Sequence, residues 1–486
     1  MNNLEDLKKM NLESAKVFSY FEEIAKIPHG SRNTTQISDY LINFAKAHHL
    51  EHYQDEVNNV VIIQEATQGY EHADPIIIQG HMDMVCEKES DCHIDFAKDG
   101  LNLYVDGDFL KARGTTLGGD DGIAIAYALA ILDTPEIAHP RLEVVITVDE
   151  EIGMLGAEVI DLSMLKGHKL LNIDSDIEGH FLTSCAGGMT VLTTIPVSYI
   201  VQKGLPFSVK VTGLAGGHSG SEIDKERANA NILMGRLLKY ISDRMEMGIS
   251  ELAGGFKDNA IPRECEALLL IPTAKEHKFK SYLSEFELIL KREYAASDPG
   301  ICIVAEAKSE CELHILSYTS MTKVIFYLRS VPNGVQHMSQ MMPGLVETSL
   351  NAGILKLDKD NCCISTSVRS SVSSRKTELA ERLEMLAEFL GGEIQISGDY
   401  PAWEYKTDSA IRDTISSVYK NLFDDEPVFE AIHAGLECGM FSAKIADLDC
   451  ISFGPNNYDI HTPKERLSIS STERVWKLLV EFLKQC

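Results

Sequence analysis

Acidic residues and histidines recur in this chain at the points where apolar, strand-like runs end. The runs are continuous rather than alternating, which is typical of parallel strands covered on both faces. In open α/β sheets, ligands bind at the edge where the carboxyl ends of the strands meet. The pattern therefore predicts an α/β sheet with a polar carboxyl edge. The residues that mark this edge are His81, Asp83, Asp120, Asp121, Glu150, Glu151, Asp174 and His461.

The triplet His81-Met82-Asp83 follows the apolar run IIIQG. On an extended backbone, residues two apart point the same way, so Asp83 can approach a ring nitrogen of His81. Such a contact fixes the imidazole tautomer and makes the other nitrogen a better metal ligand. The triplet alone is more often structural, and its position after a strand favours a metal site.

Asp120 and Asp121 stand in the glycine-rich turn GGDDG, just before a helix predicted at 122–132. A phosphate cradle and an ordinary capped helix start are the alternatives. Adjacent carboxylates repel an anion, and a cap accounts for only one of the two aspartates. A carboxylate that bridges two cations explains the pair better.

The acidic triplet Asp149-Glu150-Glu151 follows an apolar strand predicted at 142–148. Consecutive side chains at a strand end diverge, so one glutamate can bind a metal while its neighbour faces the substrate water. A solvated acidic turn is the alternative, but three adjacent acids destabilise one another unless a cation neutralises them. With Asp174 after the strand at 169–173, the chain offers ligands for two metal ions and a spare carboxylate as base.

The composition indicates a cytoplasmic protein that binds neither nucleic acid nor membrane. A formal net charge of −28 opposes contact with phosphate backbones and anionic lipids. Eleven cysteines without a CxxC motif favour reduced thiols over a disulfide framework. The opening MNNLEDLKKM has no apolar core for a signal peptide, and the longest apolar stretch, 123–132, is about half of the length that spans a bilayer.

The length of 486 residues predicts two domains, and the sequence pattern changes after Cys185-Ala186-Gly187-Gly188. Beyond that point we expect a second α+β domain, inserted in the first. Its predicted elements are strands at 189–196, 206–212, 267–271 and 323–328 and helices at 225–244 and 377–390. The predicted division is 1–186 and 400–486 for the α/β domain and 187–399 for the insertion.

Several motifs together resemble one known family. They are TTLGGDDGIAIAYALAIL, GGHSG, NAIPRE, HAGLECG and ISFGPN. These motifs are similar to those of the bacterial aminoacyl-histidine dipeptidases, also called cytosol non-specific or β-alanyl-histidine dipeptidases. The family belongs to the co-catalytic zinc aminoacylase and carboxypeptidase clan, and the likeness runs nearly end to end. The chain departs from the family pattern at Gly119-Asp120-Asp121, where Ala-Asp-Asn is frequent, and at Ala402, where Gly is frequent.

The resemblance implies a zinc-peptidase-like mixed sheet flanked by helices, with an inserted α+β domain that serves as lid and dimerisation domain. It implies two Zn²⁺ ions per subunit, for which Co²⁺ or Mn²⁺ can substitute. One ion would be held by His81, Asp120 and Asp174, and the other by Asp120, Glu151 and His461.

The resemblance also implies roles for residues outside the ligand set. Asp83 would orient His81, and Glu150 would be the general base. His218 in AGGHSG would stabilise the tetrahedral oxyanion, within its own subunit or across a homodimer interface, although an exposed or capping histidine is the alternative. Three residues are candidates for substrate binding, with structural roles as alternatives. Arg369 and Asn259 would hold the terminal carboxylate, and Glu437 the free amine.

The implied activity is hydrolysis of Xaa-His dipeptides, including β-Ala-His, and of other dipeptides. An N-acyl amino acid deacylase or a tripeptidase of the same clan is the nearest alternative, because one pocket substitution shifts discrimination by only about 1–3 kcal/mol. A catalytically inactive binding or scaffold protein is the alternative of a different class. The complete ligand set argues against it, since an inactive copy need not keep those residues.

Overall fold

The computed structural model describes residues 12–486, so the opening segment MNNLEDLKKM lies outside the described residues. The chain divides into two compact units. The first contains the described residues up to Ser184 together with Tyr405–Ala431 and Leu436–Cys486. The second contains Cys185–Glu404 and Ile432–Gly435. Among residues 12–486, no helix combines the length and apolar character needed to cross a lipid bilayer.

Helices and strands alternate along the described part of the chain. The α-helices are α1 (Ala15–Ile24), α2 (Thr35–Ala47), α3 (Gly119–Leu132), α4 (Leu155–Val159), α5 (Ala230–Ser242), α6 (Glu276–Glu293), α7 (Tyr318–Ser330), α8 (Ser373–Phe389), α9 (Ala410–Phe423), α10 (Glu437–Lys444) and α11 (Ile469–Lys484). The strands are β1 (Glu51–Gln54), β2 (Val60–Gln64), β3 (Ile76–His81), β4 (Leu103–Asp106), β5 (Phe109–Ala112), β6 (Leu142–Thr147), β7 (Lys169–Asn172), β8 (His180–Cys185), β9 (Gly187–Pro196), β10 (Tyr199–Thr212), β11 (Gly217–His218), β12 (Gly248–Gly254), β13 (Ala260–Ile261), β14 (Cys265–Ile271), β15 (Cys302–Ala307), β16 (Cys311–Leu316), β17 (Gly334–Met338), β18 (Val346–Leu357), β19 (Asn361–Ser370), β20 (Glu393–Tyr400), β21 (Val428–Ile432), β22 (Asp449–Ser452), β23 (Asn457–Tyr458) and β24 (Arg466–Ser468).

The first unit is built on an eight-stranded mixed sheet in the order β1-β2-β6-β3-β7-β22-β8-β21. Strands β6, β3, β7 and β22 run parallel. Strand β2 pairs antiparallel with β6, and β8 pairs antiparallel with β22. The predicted mixed sheet is therefore confirmed, but the parallel direction predicted from continuous apolar runs was wrong for β2. Its apolar run VVII is buried on both faces, and burial of that kind does not depend on strand direction.

Helix α3 holds the start of the candidate site against the sheet. Its residues from Ile123 to Leu132 are apolar and buried on every side of the helix. The helix packs against α1 and β3. Gly80 on β3 allows the close approach, because a Cβ at this position would lie 2.5 Å from the Cβ of Ala124. The turn that carries Asp120 is thereby placed beside the end of β3.

The second unit is the inserted α+β domain that the sequence predicted. Its sheet has the order β15-β10-β14-β12-β18-β19-β9-β20, with β16 paired to β10 and β17 to β18. The pairings of this sheet are antiparallel. Helices α5, α6, α7 and α8 contribute buried apolar residues to its core, among them Leu237, Phe286, Val324 and Leu383. The domain boundaries at 186/187 and 399/400 stay a prediction, because compactness alone does not define an independently folding domain.

One predicted element of the second unit was wrong, and a second was too long. The segment 323–328 lies within helix α7 rather than in a strand. Ser317 caps α7 by accepting a hydrogen bond from the backbone N–H of Ser320, and the buried positions recur at helical spacing. The predicted helix at 225–244 is shorter because Asn229 caps α5, accepting from the N–H groups of Asn231 and Ile232.

We expect Leu129→Ala in α3 to lower the free energy of unfolding by about 2–5 kcal/mol, because the side chain is 1% exposed and its loss leaves a cavity. Leu422→Ala on α9 is the matched control, since Leu422 is 39% exposed. Thermal unfolding followed by circular dichroism measures both. Equal shifts for the two variants would contradict the central position of α3.

Candidate metal centre

The first unit gathers the predicted ligands at the carboxyl edge of its mixed sheet. His81 is the last residue of β3, and Asp174 follows β7 by two residues. Glu151 lies in the turn after β6, while Asp120 begins α3. His461 lies in the loop between β23 and β24. Five side chains from separate elements therefore converge on one region, as the sequence pattern indicated.

The carboxylate of Asp120 lies between two imidazoles. Its Oδ1 is 3.1 Å from Nε2 of His81, and its Oδ2 is 3.1 Å from Nε2 of His461. Nε2 of His81 is also 3.8 Å from Oδ1 of Asp174, and Nε2 of His461 is 3.0 Å from Oε1 of Glu151. His81 thus faces Asp174, His461 faces Glu151, and both imidazoles contact Asp120. This is the arrangement that two neighbouring cations require.

Asp121 is buried, and its carboxylate contacts the backbone of β3. Its Oδ2 accepts a hydrogen bond from the N–H of His81 at 3.2 Å. Ligand atoms of His81, Asp121 and Asp174 lie within 4.8 Å of one another, as do those of His81, Asp120 and Glu151. Asp120 alone among the two aspartates reaches both imidazoles, which favours Asp120 as the bridging residue.

Asp83 connects β3 to the acidic turn after β6. Nδ1 of His81 is 2.9 Å from the backbone carbonyl oxygen of Asp83 and 3.5 Å from its carboxylate. A proton on Nδ1 would leave Nε2 free to bind a metal, so these contacts are consistent with the orienting role expected of Asp83, which stays a prediction. The Asp83 carboxylate also accepts from the N–H of Glu150 at 3.0 Å, the N–H of Glu151 at 3.4 Å and Oγ of Ser31 at 2.8 Å.

The two imidazoles supply the positive charge within this acidic cluster. Burial lowers the pKa of His81, but the surrounding carboxylates outweigh it and raise the pKa well above its ordinary value. A hydrogen bond to Asp120 and the nearby carboxylate of Glu151 raise the pKa of His461 to about 10. Burial raises the pKa of Asp120, yet its contacts with both histidines hold the net value below the ordinary range.

The remaining acids of the cluster have raised pKa values. Burial is the main cause for Asp174, whose pKa lies well above its ordinary value, with Asp121 and Asp120 adding repulsion. Burial and the charges of Glu437, Asp120 and Glu151 raise the pKa of Glu150 to about 8. Carboxylates crowded in this way gain stability from any bound cation.

The donor set fits Zn²⁺ and related divalent ions, which bind imidazole nitrogen and carboxylate oxygen together. Oε1 of Glu151 is buried and has no aligned hydrogen-bond partner within residues 12–486. Although His461 Nε2 lies 3.0 Å away, the contact lacks hydrogen-bond geometry. Two ligands of one ion point at the ion rather than at each other, so this misalignment is consistent with a shared cation.

The sequence reasoning missed Glu465, which contacts the loop that bears Asp120. Its carboxylate accepts hydrogen bonds from the N–H groups of Leu117 at 2.7 Å and Gly119 at 2.8 Å. The glycine-rich cradle therefore binds an acidic side chain of the chain itself. Glu465 follows His461 by four residues, but the sequence carries no signal for its contact with a turn 346 positions earlier.

The second unit brings His218 and Arg369 into one cluster. Nδ1 of His218 accepts from the N–H groups of Gly220 at 3.2 Å and Ser221 at 3.1 Å. Burial and the Arg369 charge lower the pKa of His218, so the neutral ring presents an Nε2–H donor. Arg369 donates from Nη1 to the Tyr400 hydroxyl at 2.9 Å, and its buried Nε has no hydrogen-bond partner among the described residues.

His433, also missed by the sequence reasoning, belongs to the same cluster of the second unit. Its Nε2 lies 2.7 Å from Oγ of Ser349. Burial and the charges of Arg369 and His218 lower the pKa of His433 to about 3, so the ring is neutral. Asn259 is exposed, and its backbone carbonyl accepts from the N–H of Ser219, next to His218.

Glu437 belongs to the first unit and is fully buried. Its Oε2 accepts a hydrogen bond from Thr147 Oγ1 at 2.7 Å and a second, short one from Gln79 Nε2. Gln79 stands two residues before His81 on β3. Burial raises the pKa of Glu437 to about 7. The structure thus places Glu437 at the start of α10, where its carboxylate contacts side chains of β3 and β6.

Metal binding should stabilise the protein more at pH 8 than at pH 6. The raised pKa values of Glu150, about 8, and His461, about 10, mean that bound protons stabilise the metal-free fold. That stabilisation is complete below the ordinary pKa values and is lost as the pH rises through the raised ones. We expect the difference in melting temperature between zinc-loaded and chelator-treated protein to grow from pH 6 to pH 8. At a metal concentration 100-fold above Kd, binding adds about 2.7 kcal/mol to the free energy of unfolding. A constant or shrinking difference would contradict the assignment.

Comparison with known proteins gives one consistent result. The model of peptidase family M20/M25/M40 matches residues 77–485. The chain is 34% identical over 479 residues to the cytosol non-specific dipeptidase of Escherichia coli (strain K12), covering 98% of each protein. The aminoacylhistidine dipeptidase of Vibrio alginolyticus matches with a TM-score of 0.91 and 33% identity, over 98% of this chain and 97% of that one.

A more distant structure shares the fold alone. The aminopeptidase PepT of Bacillus cereus is 13% identical and matches with a TM-score of 0.58, over 98% of this chain and 99% of its own. The resemblance found in the motifs is therefore confirmed by the whole chain and by its fold. The chain belongs to peptidase family M20/M25/M40 and is a peptide hydrolase.

Proposed function

We propose that this chain is a dizinc dipeptidase that hydrolyses Xaa-His dipeptides, including β-Ala-His, and other dipeptides. The observation that carries the proposal is the Asp120 carboxylate, 3.1 Å from each of two imidazoles, with Glu150 outside the ligand set. The substrate class is supported by similarity to proteins named cytosol non-specific dipeptidase and aminoacylhistidine dipeptidase.

The ligand assignment follows the contacts of the two imidazoles. One Zn²⁺ would be held by His81, Asp120 and Asp174, and the other by Asp120, Glu151 and His461, with Co²⁺ or Mn²⁺ as substitutes. When bound, such a pair of cations polarises the scissile carbonyl and lowers the pKa of a water molecule. The raised pKa values of Asp174 and His461 support this assignment, since each side chain holds a proton where a cation would compete for it.

Glu150 is proposed as the general base. It accepts a proton from the attacking water and passes it to the leaving amine, which calls for a carboxyl group that titrates near neutral pH. Burial among acids raises the pKa of Glu150 to about 8, in keeping with that role. The hydrogen bond from its N–H to Asp83 holds the residue at the end of β6.

His218 and Arg369 are proposed to act on the substrate from the second unit. Because Nδ1 of His218 accepts hydrogen bonds, Nε2–H is left to donate to an oxyanion. Arg369 presents an unpaired Nε–H to the terminal carboxylate of the substrate, and Asn259 is proposed as a second contact. For Glu437, the contacts with Gln79 and Thr147 favour a role in holding the strands over direct contact with the substrate amine.

The proposed setting is a homodimer in the cytoplasm, formed through the second unit as lid and dimerisation domain. The relative from Escherichia coli is named for the cytosol, which supports the location. A deacylase or tripeptidase activity would use the same ligands and Glu150. A panel of Xaa-His dipeptides, tripeptides and N-acetyl amino acids separates these possibilities by the products released.

We expect Glu150→Gln to lower turnover of Gly-His by about 10²–10⁴-fold while metal binding persists, because only the proton acceptor is removed. Asp120→Ala should abolish turnover and metal binding together, since both imidazoles lose their shared partner. Glu136→Gln, at an exposed position, is the control. Turnover, metal content and the circular dichroism spectrum are measured in parallel on the purified proteins. Undiminished hydrolysis by either site variant would refute the mechanism.

We expect Arg369→Ala to lower kcat/KM for Gly-His by about 10–150-fold, which corresponds to the loss of about 1.5–3 kcal/mol from a charged hydrogen bond. The loss should appear mainly in KM. Gly-His amide, which has no terminal carboxylate, should be hydrolysed equally by variant and parent. Arg382→Ala, with a side chain 47% exposed on α8, is the control. An equal loss for the acid and the amide would exclude the carboxylate contact.

A further inference from the structure

We propose that Glu465 is a positioning residue that sets the affinity of the metal site containing His461. This inference rests on the proposed dizinc function and deepens it. Glu465 is 3% exposed and lies four residues after His461, in the loop before β24. It contacts the turn that carries Asp120, so it connects two ligand-bearing loops of the first unit.

Both oxygens of the Glu465 carboxylate are fully used. Oε2 accepts from the N–H groups of Leu117 at 2.7 Å and Gly118 at 3.1 Å. Oε1 accepts from the N–H groups of Gly119 at 2.8 Å and Asp120 at 3.4 Å. Oε1 also lies 3.1 Å from Nδ2 of Asn457, a further donor. Backbone donors at the start of a helix favour an anion, and here α3 begins at this turn.

Gly119 fits the contact with Glu465. A Cβ at Gly119 would lie 2.8 Å from Nδ2 of Asn457 and 3.1 Å from Oε1 of Glu465, so glycine allows the close approach of the backbone. Gly118 has φ of +68°, a conformation that favours glycine, and a Cβ there would lie 2.8 Å from Sδ of Met84. The Glu465 carboxylate thus contacts the turn from which Asp120 projects where the backbone has no side chain in the way.

The two histidines depend on Glu465 to different degrees. His81 ends a buried strand and is itself 1% exposed, so the sheet holds it. The side chain of His461 is 47% exposed, and its residue lies in a loop with φ of +60°. The bond from Glu465 to the Asp120 turn fixes this loop beside its partner. Loss of the carboxylate should weaken the site with His461 more than the site with His81.

The test is Glu465→Gln, which keeps size and shape but replaces one acceptor oxygen by an amide NH₂ that faces backbone donors. Glu143→Gln is the matched control. Glu143 is equally buried and accepts from the N–H groups of Lys166 at 3.0 Å and Gly167 at 2.9 Å, but it lies near the start of β6, away from the site. Zinc and cobalt titrations by calorimetry and absorption measure the affinity of each site on the full chain.

We expect Glu465→Gln to bind one of its two cations about 10–100-fold more weakly, the range found for loss of an outer contact to a metal ligand. Its dipeptidase kcat should recover when free metal is raised, with KM unchanged. Glu143→Gln should lower the melting temperature without changing either affinity. If Glu465→Gln does not fold, Gly119→Ala, which crowds the same carboxylate, should show the same selective weakening.

Metal affinities of Glu465→Gln within threefold of the parent, or equal losses in both variants, would overturn the inference while leaving the dizinc function intact. A parent protein that binds no metal and cleaves no dipeptide would instead overturn the proposed function, and the inference with it. The two failures are therefore distinguished by the parent protein alone.

Discussion

Mutual repulsion among buried carboxylates is the constraint around which the first unit is organised. Acids from four separate elements approach the same point at the end of the mixed sheet. Burial first, and then repulsion from Asp121 and Asp120, raise the pKa of Asp174 well above its ordinary value. Two imidazoles reduce the repulsion, with Asp120 between them at 3.1 Å from each. Burying such a cluster costs free energy, and a bound cation offsets that cost by neutralising the acids. The cluster therefore makes chemical sense as a metal centre.

The surrounding fold holds proposed ligands from loops next to proposed ligands from the sheet. His81 and Asp174 extend from β3 and β7, which are hydrogen-bonded neighbours in the sheet. Asp83 ties the turn with Glu150 to β3 through backbone hydrogen bonds. Glu465 does the same for the turn before α3. Outer contacts of this kind orient ligands and tune their affinity.

Much of the site could be predicted because its signal is local. Four of the proposed ligands, His81, Asp120, Glu151 and Asp174, stand at or close to apolar runs, and the apolar run of β3 leads into His81. The contact of Glu465 with the Gly118-Gly119 turn could not be predicted, because it joins residues about 350 positions apart in sequence and uses backbone donors, which leave no mark on side-chain composition. The strand predicted at 323–328 failed for a related reason. The spacing of its apolar residues fits both a helix and a strand, and the Ser317 cap of α7 identifies the helix.

The most direct test of the account is anomalous X-ray diffraction from crystals of the zinc-loaded protein. The account predicts two anomalous peaks per subunit, about 3.5–4 Å apart, with the Asp120 carboxylate between them and one imidazole on each. A single peak, or peaks that do not contact Asp120, would contradict the account.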